Sequence, residues 1–119
     1  MSKKPLILGI ESSCDETAAS MITENQQGNP IVLSNIISSQ VEVHKEFGGV
    51  VPELAARSHM EKIDWIVQKA IDDSGRKIEE IDAIASTAGP GLIVCLSVGL
   101  SFGKAFSLAL NKPFIAVNH

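Results

Sequence analysis

Hydrophobic and polar positions along the chain predict three strands followed by two alternations of helix and strand. Short runs rich in branched apolar residues, each bounded by turn residues, predict five strands, from Leu6 to Glu11, Thr17 to Glu24, Ile31 to Ser39, Asp82 to Ala88 and Phe114 to Val117. Two helices are predicted between the later strands, from Pro52 to Ser74 and from Gly91 to Leu110. Helical crossovers join parallel strands. The chain therefore predicts an α/β fold, a mixed five-stranded sheet (an antiparallel meander plus parallel strands) covered by two main helices.

The two predicted helices differ in their hydrophobic pattern. The first has one apolar face, with members three or four residues apart: His59, Met60, Ile63, Ile66, Val67, Ala70 and Ile71. Trp65 lies nearly opposite this face. The second helix is apolar on every side, a pattern that predicts burial all round or cover by a partner. Its small residues fall four apart, at Cys95, Gly99, Gly103 and Ser107. This stripe allows close approach either of a second helix backbone or of the domain's own sheet.

Composition and charge exclude several classes of protein. The 119 residues are 45% apolar and 20% charged, as in a globular protein of one domain at most. The net charge of −4 gives no broad basic surface for nucleic acid. We find no signal-peptide pattern, and two cysteines suit a reducing compartment, so a cytoplasmic location is expected. The uncharged stretch before Lys104 is interrupted by Gly89-Pro90-Gly91 and is then too short for a membrane span, which needs about 20 residues.

A polar run from Glu11 to Thr17 joins the first two predicted strands. It carries three carboxylates, serine hydroxyls and a thiol at the tip of a hairpin whose strands are predicted to be buried. Asp15 and Glu16 stand at the turn itself, where carboxylates commonly cap the turn by accepting backbone N–H groups. The segment Gly89-Pro90-Gly91, between a strand and a helix, is either an anion site or simply a tight turn.

Four motifs resemble, in the same order, those of the TsaD family of tRNA N6-adenosine threonylcarbamoyltransferases, formerly called O-sialoglycoprotein endopeptidases or glycoproteases. The matching segments are Ile7 to Thr17, Gly48 to Arg57 with His59, Thr87 to Leu92, and Val117 to His119. The resemblance covers the whole chain and about the first third of such a protein. It agrees with the element order, which resembles the ribonuclease H-like half-domain of the actin, hexokinase and heat-shock ATPase superfamily.

The resemblance implies a reaction and a set of site residues. Proteins of this family transfer threonylcarbamoyl from threonylcarbamoyl-AMP to an adenosine beside the anticodon, in tRNAs that read codons beginning with A. The resemblance places Asp15 and Glu16 in the catalytic cleft, where a carboxylate could orient the attacking amine, accept its proton or hold a metal-bound water. The alternative that they only cap the turn stays open. It also implies one divalent metal, iron or zinc, with His119 as the first histidine of a His-x-x-x-His motif. Without the resemblance, a lone terminal histidine would be read as a solvated chain end.

We therefore expect residues 1–119 to be the N-terminal half-domain of a longer two-domain protein, called the parent below. The fragment alone is expected to be inactive, to hold no metal and to form a homodimer through its helices. The partners implied for the parent are tRNA, threonylcarbamoyl-AMP or ATP, a TsaB-like paralogue and other threonylcarbamoylation proteins. Two alternatives remain open, a TsaB-like non-catalytic assembly module and the metalloendopeptidase of the older family label. The endopeptidase lacks support because the sequence has no His-Glu-x-x-His motif.

Overall fold

A computed structural model of the chain describes residues 4–13, 16–39 and 52–118, and it confirms the predicted order of elements. The strands are β1 (Ile7–Ser13), β2 (Glu16–Glu24), β3 (Pro30–Ser39), β4 (Ala83–Gly89) and β5 (Phe114–Asn118). The helices are α1 (Pro52–Ser74) and α2 (Ile93–Leu110), with a 3-10 turn at Ile78–Glu80. Predicted and observed ends agree to within two residues because turn-forming residues punctuate the chain clearly.

The five strands form one mixed sheet in the order β3-β2-β1-β4-β5. Strand β2 pairs antiparallel with both β1 and β3, whereas β4 pairs parallel with both β1 and β5. The predicted meander and parallel strands are therefore confirmed. This topology brings the carboxyl ends of β1, β4 and β5, together with the amino end of β2, to a single edge of the sheet. We call it the carboxyl edge.

Both helices pack on the same face of the sheet, where they form the core. Residues along β1 alternate between buried and half-buried, as expected of a strand with one covered face. The core joins aliphatic side chains of the sheet to those of α1, among them Leu8, Ile10, Met21, Ile63, Ile66 and Val67. Within the ranges given above, no element covers the opposite face, where Val32, Ile37 and Ile115 are 60%, 54% and 45% exposed. The predicted cover by helices thus applies to one face.

The apolar face of α1 is confirmed with one exception. Ile63, Ile66 and Ala70 are buried, and His59 is also fully buried. Met60 is 65% exposed, so its predicted place in the buried face is wrong. It lies at the rim of that face, beside the groove between α1 and α2, where the sheet no longer reaches it.

The small residues of α2 face the sheet, which decides between the two alternatives left open by the sequence. Cys95, Gly99, Gly103 and Ser107 are all buried. A Cβ atom added at Gly99 would lie 2.8 Å from the Ser12 hydroxyl, and one at Gly103 would lie 2.7 Å from the Phe114 ring. The stripe therefore serves close packing of α2 on its own sheet, and it is unavailable to a second helix.

Large apolar residues of α2 lie on both sides of this packing. Leu96 is buried, and Val98, Phe102, Phe106 and Leu110 are partly buried against the core. Ile93 and Leu108 are 83% and 82% exposed. By length and composition alone, α2 is apolar enough to cross a membrane, but the core helix of a globular domain passes the same test. Lys104 lies inside this helix. The buried stripe of small residues packs the helix on the sheet.

Candidate functional site

The candidate site is a crevice at the carboxyl edge, between β1 and β4. Ligands of open α/β sheets bind outside the carboxyl ends of strands, where neighbouring strands lead in opposite directions. Here β1 leads to β2 on one side, whereas β4 leads to β5 on the other. The pairing of β1 with β4 ends at Ile10 and Ser86, so residues 11–13 and 87–89 extend beyond the last paired residues. The two strand ends form the walls of this crevice.

The hairpin tip between β1 and β2 forms one wall. Ser13 pairs with Glu16 across the hairpin, and Glu16 is exposed at the first position of β2. The strand alternation places Glu11, Ser13 and Glu16 on the face that the helices leave uncovered. The Ser13 hydroxyl donates a hydrogen bond of 2.6 Å to a carboxylate oxygen of Glu11. Two carboxylates on one face can accept protons from a bound group or attract a cation.

Beneath the tip, on the helix-covered face, Ser12 and Thr17 lie opposite each other and are almost completely buried. The Ser12 hydroxyl donates to the carbonyl of Cys95 at 2.7 Å and accepts the N–H of Gly99 at 2.8 Å. The Thr17 hydroxyl is hydrogen-bonded to Nδ1 of His59 at 2.5 Å. The tip is thus tied to α2 through β1 and to α1 through β2.

The turn after β4 and the end of β5 form the other wall. Asn118 pairs with Gly89, and its side-chain oxygen would lie 3.3 Å from a Cβ atom added there. The turn contains a cis peptide bond between Gly89 and Pro90. Helix α2 then begins after Leu92, whose carbonyl accepts the N–H groups of Cys95 and Leu96. The tight-turn alternative describes this geometry, and anion binding by the segment stays a prediction.

A depression of about 240 Å³ extends from the crevice onto the uncovered face of the sheet. Small residues on three strands leave room for it: Gly9, Ala18, Ser20 and Ala85. Glu11 and Thr87 lie at its end nearest the carboxyl edge, because each follows the last residue that pairs β1 with β4. A bound molecule could therefore contact the Glu11 carboxylate while resting on small side chains.

The predicted site residues fall partly within the described chain. Glu16 lies at the crevice, whereas Asp15 and His119 lie outside the described residues. Over residues 4–13, 16–39 and 52–118, no three His, Cys, Asp or Glu side chains converge on one point. The described residues therefore do not themselves form a metal site.

Sequence reasoning missed the place of Glu11 on the uncovered face, and it missed the buried hydrogen bonds of Ser12, Thr17 and His59. For Glu11, strand alternation would have placed it on the same face as Glu16. For His59, the only signal was a histidine within an otherwise apolar helix face, and no local pattern pairs it with Thr17.

Comparisons with known proteins agree with the family resemblance. The family model for TsaD, tRNA N6-adenosine threonylcarbamoyltransferase, matches residues 31–119. A curated protein of that name from Pelagibacter ubique is 79% identical over the whole chain, and one from Brucella canis is 53% identical over 95% of it. The chain spans 33% and 32% of their lengths, about a third.

Among solved structures, YeaZ from Pseudomonas aeruginosa superimposes on 96% of this chain and 43% of its own, with a TM-score of 0.68. Its sequence is 17% identical, so the likeness concerns the fold alone. Together with the strand order, it confirms the predicted ribonuclease H-like fold.

Proposed function

We propose that this chain, which belongs to the tRNA N6-adenosine threonylcarbamoyltransferase family, forms the N-terminal half-domain of an enzyme with that activity. The parent would transfer threonylcarbamoyl from threonylcarbamoyl-AMP to the amino group of an adenosine next to the anticodon. The observation that carries the proposal is the family match over residues 31–119, which includes both β4 and β5 of the crevice. Glu16, the first residue of β2, lies at the same edge.

The reaction requires a proton acceptor close to the attacking amine. The amine nitrogen forms a bond to the carbamoyl carbon, the bond from that carbon to the AMP phosphate oxygen breaks, and AMP leaves. The amine must also lose a proton. We propose that Asp15 and Glu16 act here, one accepting the proton and the other orienting the amine. The exposure of Glu16 at the tip supports access to a bound substrate.

Charge-neutral variants of the tip test this proposal. In the full-length parent, we expect Asp15→Asn and Glu16→Gln each to lower kcat by about 10²–10⁴-fold, the usual contribution of acid–base groups. Thermal stability should change little, by about 0.5 kcal/mol at most, as for other surface sites. Glu24→Gln, at the opposite end of β2, is the matched control and should retain activity. If both tip variants turn over like wild type, the carboxylates only cap the turn.

We also propose that the parent holds one iron or zinc ion and that His119 is one of its ligands. Metal sites in proteins need about three or more ligands from side chains, so this chain supplies only part of the site. When bound, such an ion would stabilise negative charge that develops on the substrate. Metal analysis of the parent should show reduced occupancy in His119→Ala and unchanged occupancy in the matched variant His44→Ala. Full occupancy in His119→Ala would remove this residue from the ligand set.

The isolated 119-residue chain is expected to be inactive and metal-free, since it spans a third of its relatives. Measurements of threonylcarbamoyl transfer to unmodified tRNA, and of metal in protein purified without a histidine tag, check this expectation. Turnover or stoichiometric metal would contradict it. We expect the parent to act in the cytoplasm, without membrane association.

For partners, we propose tRNA, threonylcarbamoyl-AMP or ATP, a TsaB-like paralogue and other threonylcarbamoylation proteins. The outer surface of the two helices supports pairing with the paralogue, or with a second copy when the chain is alone. Trp65 is 49% exposed there, and Met60 lines a groove between the helices with Val98 and Phe102. Exposed aromatic and methionine side chains are enriched where proteins associate. The buried glycines of α2 take no part in this surface.

A further inference from the structure

We infer that Ser12 and Thr17 form a polar clamp, anchored to α2 and to His59 of α1, that positions the hairpin tip for catalysis. The inference rests on the proposed function, because the tip carries the proposed catalytic carboxylates. Ser12, Thr17 and His59 are positioning residues, because each is buried beneath the tip, where the sheet meets the helices. The term "clamp" below means these three side chains and their hydrogen bonds.

The clamp interrupts the otherwise apolar helix-covered side of the β1–β2 hairpin. On the helix-covered side, β1 presents Leu8 and Ile10, and β2 presents Ala19 and Met21, all of them buried. Only the last pair before the turn changes to hydroxyl residues, although it is buried just as deeply. Burying a hydroxyl costs free energy unless it finds a hydrogen-bond partner, so an apolar pair would be the simpler choice for stability alone.

The hydrogen-bond partners of Ser12 and Thr17 indicate why buried hydroxyls stand at this position. Apolar contacts are non-directional, whereas a hydrogen bond fixes distance and angle. Ser12 bonds both the carbonyl of Cys95 and the N–H of Gly99, which are one helical turn apart on α2. The hydroxyl therefore accepts and donates at once, and its position along the helix is fixed. Gly99 makes the contact possible, because any side chain there would collide with the hydroxyl.

His59 fixes the second strand in the same way. Its Nδ1 atom lies 2.5 Å from the Thr17 hydroxyl, and both side chains are fully buried. Thr17 directly follows Glu16, so the anchor is one residue from a proposed catalytic group. With each strand tied to a different helix, the tip can neither slide nor twist without breaking a buried hydrogen bond. Errors of about 1 Å in the position of a catalytic group can cost about 10²-fold in rate.

The chain provides a matched control for a clamp variant. Ser34 on β3 is also a buried serine whose hydroxyl bonds a helix carbonyl, that of Ala70 at 2.6 Å. It pairs with Met21 in the middle of β2, away from the tip. Ser34→Ala and Ser12→Ala therefore both remove buried hydrogen bonds between the sheet and a helix, one for Ser34 and two for Ser12. Only the second removes a bond beneath the tip.

Kinetics of the full-length parent test the clamp. We expect Ser12→Ala, Thr17→Val and His59→Leu each to lower kcat by about 10-fold or more with little change in KM, since the groups misplaced act in the transition state. Thr17→Ser keeps the hydroxyl and should recover most of the rate. Ser34→Ala should retain kcat even though it also lowers the melting temperature. Equal losses of kcat in Ser12→Ala and Ser34→Ala, or unchanged kcat in Thr17→Val, would overturn the inference.

Amide hydrogen exchange separates a failure of the clamp from a failure of the proposed function. If the wild-type parent shows no threonylcarbamoyl transfer, the proposed function fails, but the clamp can still be measured. Thr17→Val should accelerate exchange in the peptide that spans the hairpin tip, whereas Ser34→Ala should leave that peptide unchanged. Unchanged exchange in Thr17→Val would overturn the clamp whatever the activity.

Discussion

Helices α1 and α2 cover the same face of the sheet in opposite ways. Helix α1 directs large aliphatic side chains such as Ile63 and Ile66 inward, and its outer side carries charges. Helix α2 directs glycines inward and leaves Ile93 and Leu108 in solvent. The first helix is held mainly by apolar burial, whereas the second combines partial burial of residues such as Phe102 with close backbone approach and serine hydrogen bonds. The side of α2 nearest the sheet is therefore the side that carries its small residues.

Hydrogen bonds from the sheet help to hold α2 where its small side chains offer little apolar contact area. The Ser86 hydroxyl donates to the carbonyl of Gly99 at 3.0 Å, next to the bonds that Ser12 makes to the same turn. Two strands thus contact one helical turn. Because this contact requires the absence of side chains, adding atoms should harm the inner side of α2, whereas removing atoms should harm the inner side of α1.

Truncation on the inner side of α1 should give the largest effect. Ile66 is fully buried in the core, and Ile66→Ala should lower the free energy of unfolding by about 2–5 kcal/mol, through lost burial and a residual cavity. Trp65→Ala, its half-exposed neighbour, is the control and should change stability by about 0.5 kcal/mol. Urea denaturation measures both. Similar losses in the two variants would mean that α1 does not pack as described.

Enlargement on the inner side of α2 should have the next largest effect. A methyl group at Gly103 would meet the Ser86 hydroxyl and the Phe114 ring, so Gly103→Ala should cost about 1–3 kcal/mol by overpacking. Ala105→Leu adds more volume on the exposed side and should change stability by about 0.5 kcal/mol. If Ala105→Leu lowers the denaturation midpoint more than Gly103→Ala does, the close packing of α2 is refuted. Because a side chain at Gly99 or Gly103 would disturb this packing, Gly99→Leu and Gly103→Leu cannot serve to test the predicted homodimer.

Changes on the outer side of the helices should affect association and leave folding almost unchanged. The predicted homodimer requires cover for residues such as Met60 and Leu108, which are 65% and 82% exposed. Leu108→Lys and Met60→Lys should weaken self-association in sedimentation equilibrium while changing stability by about 0.5 kcal/mol. Glu24→Gln, at the end of β2 and outside both helices, is the control. A wild-type chain that stays monomeric at every micromolar concentration would rule out the dimer.

The sequence predicted most of the fold because its signals are local. Alternation of period two and recurrence of three or four residues follow directly from strand and helix geometry. Turn residues such as Gly75 then fixed the element ends. The order of elements restricted the topology, since helical crossovers join parallel strands. The family motifs were also contiguous in sequence, so they could be compared without knowing the fold.

The site was only partly predictable because its parts meet across the sheet. The hairpin tip and Glu16 followed from one continuous polar run, but the pairing of Thr17 with His59 joins residues 42 positions apart. Similarly, the contact between Ser12 and Gly99 spans 87 positions. No periodicity encodes such pairs, because they depend on how two helices settle on one sheet.

The sequence by itself determined the order of the secondary structure, the mixed sheet and the family, since each depends on neighbouring residues or on contiguous motifs. Tertiary structure alone decided which side of α2 is buried. A helix that is apolar all round has no preferred face by hydrophobicity, so the sizes of its side chains decided which face is buried. The glycines at positions 99 and 103 let the sheet approach, and Ser12 and Ser86 provide hydrogen bonds there. Close packing and directional bonds, rather than hydrophobicity, therefore set the orientation of the helix behind the site.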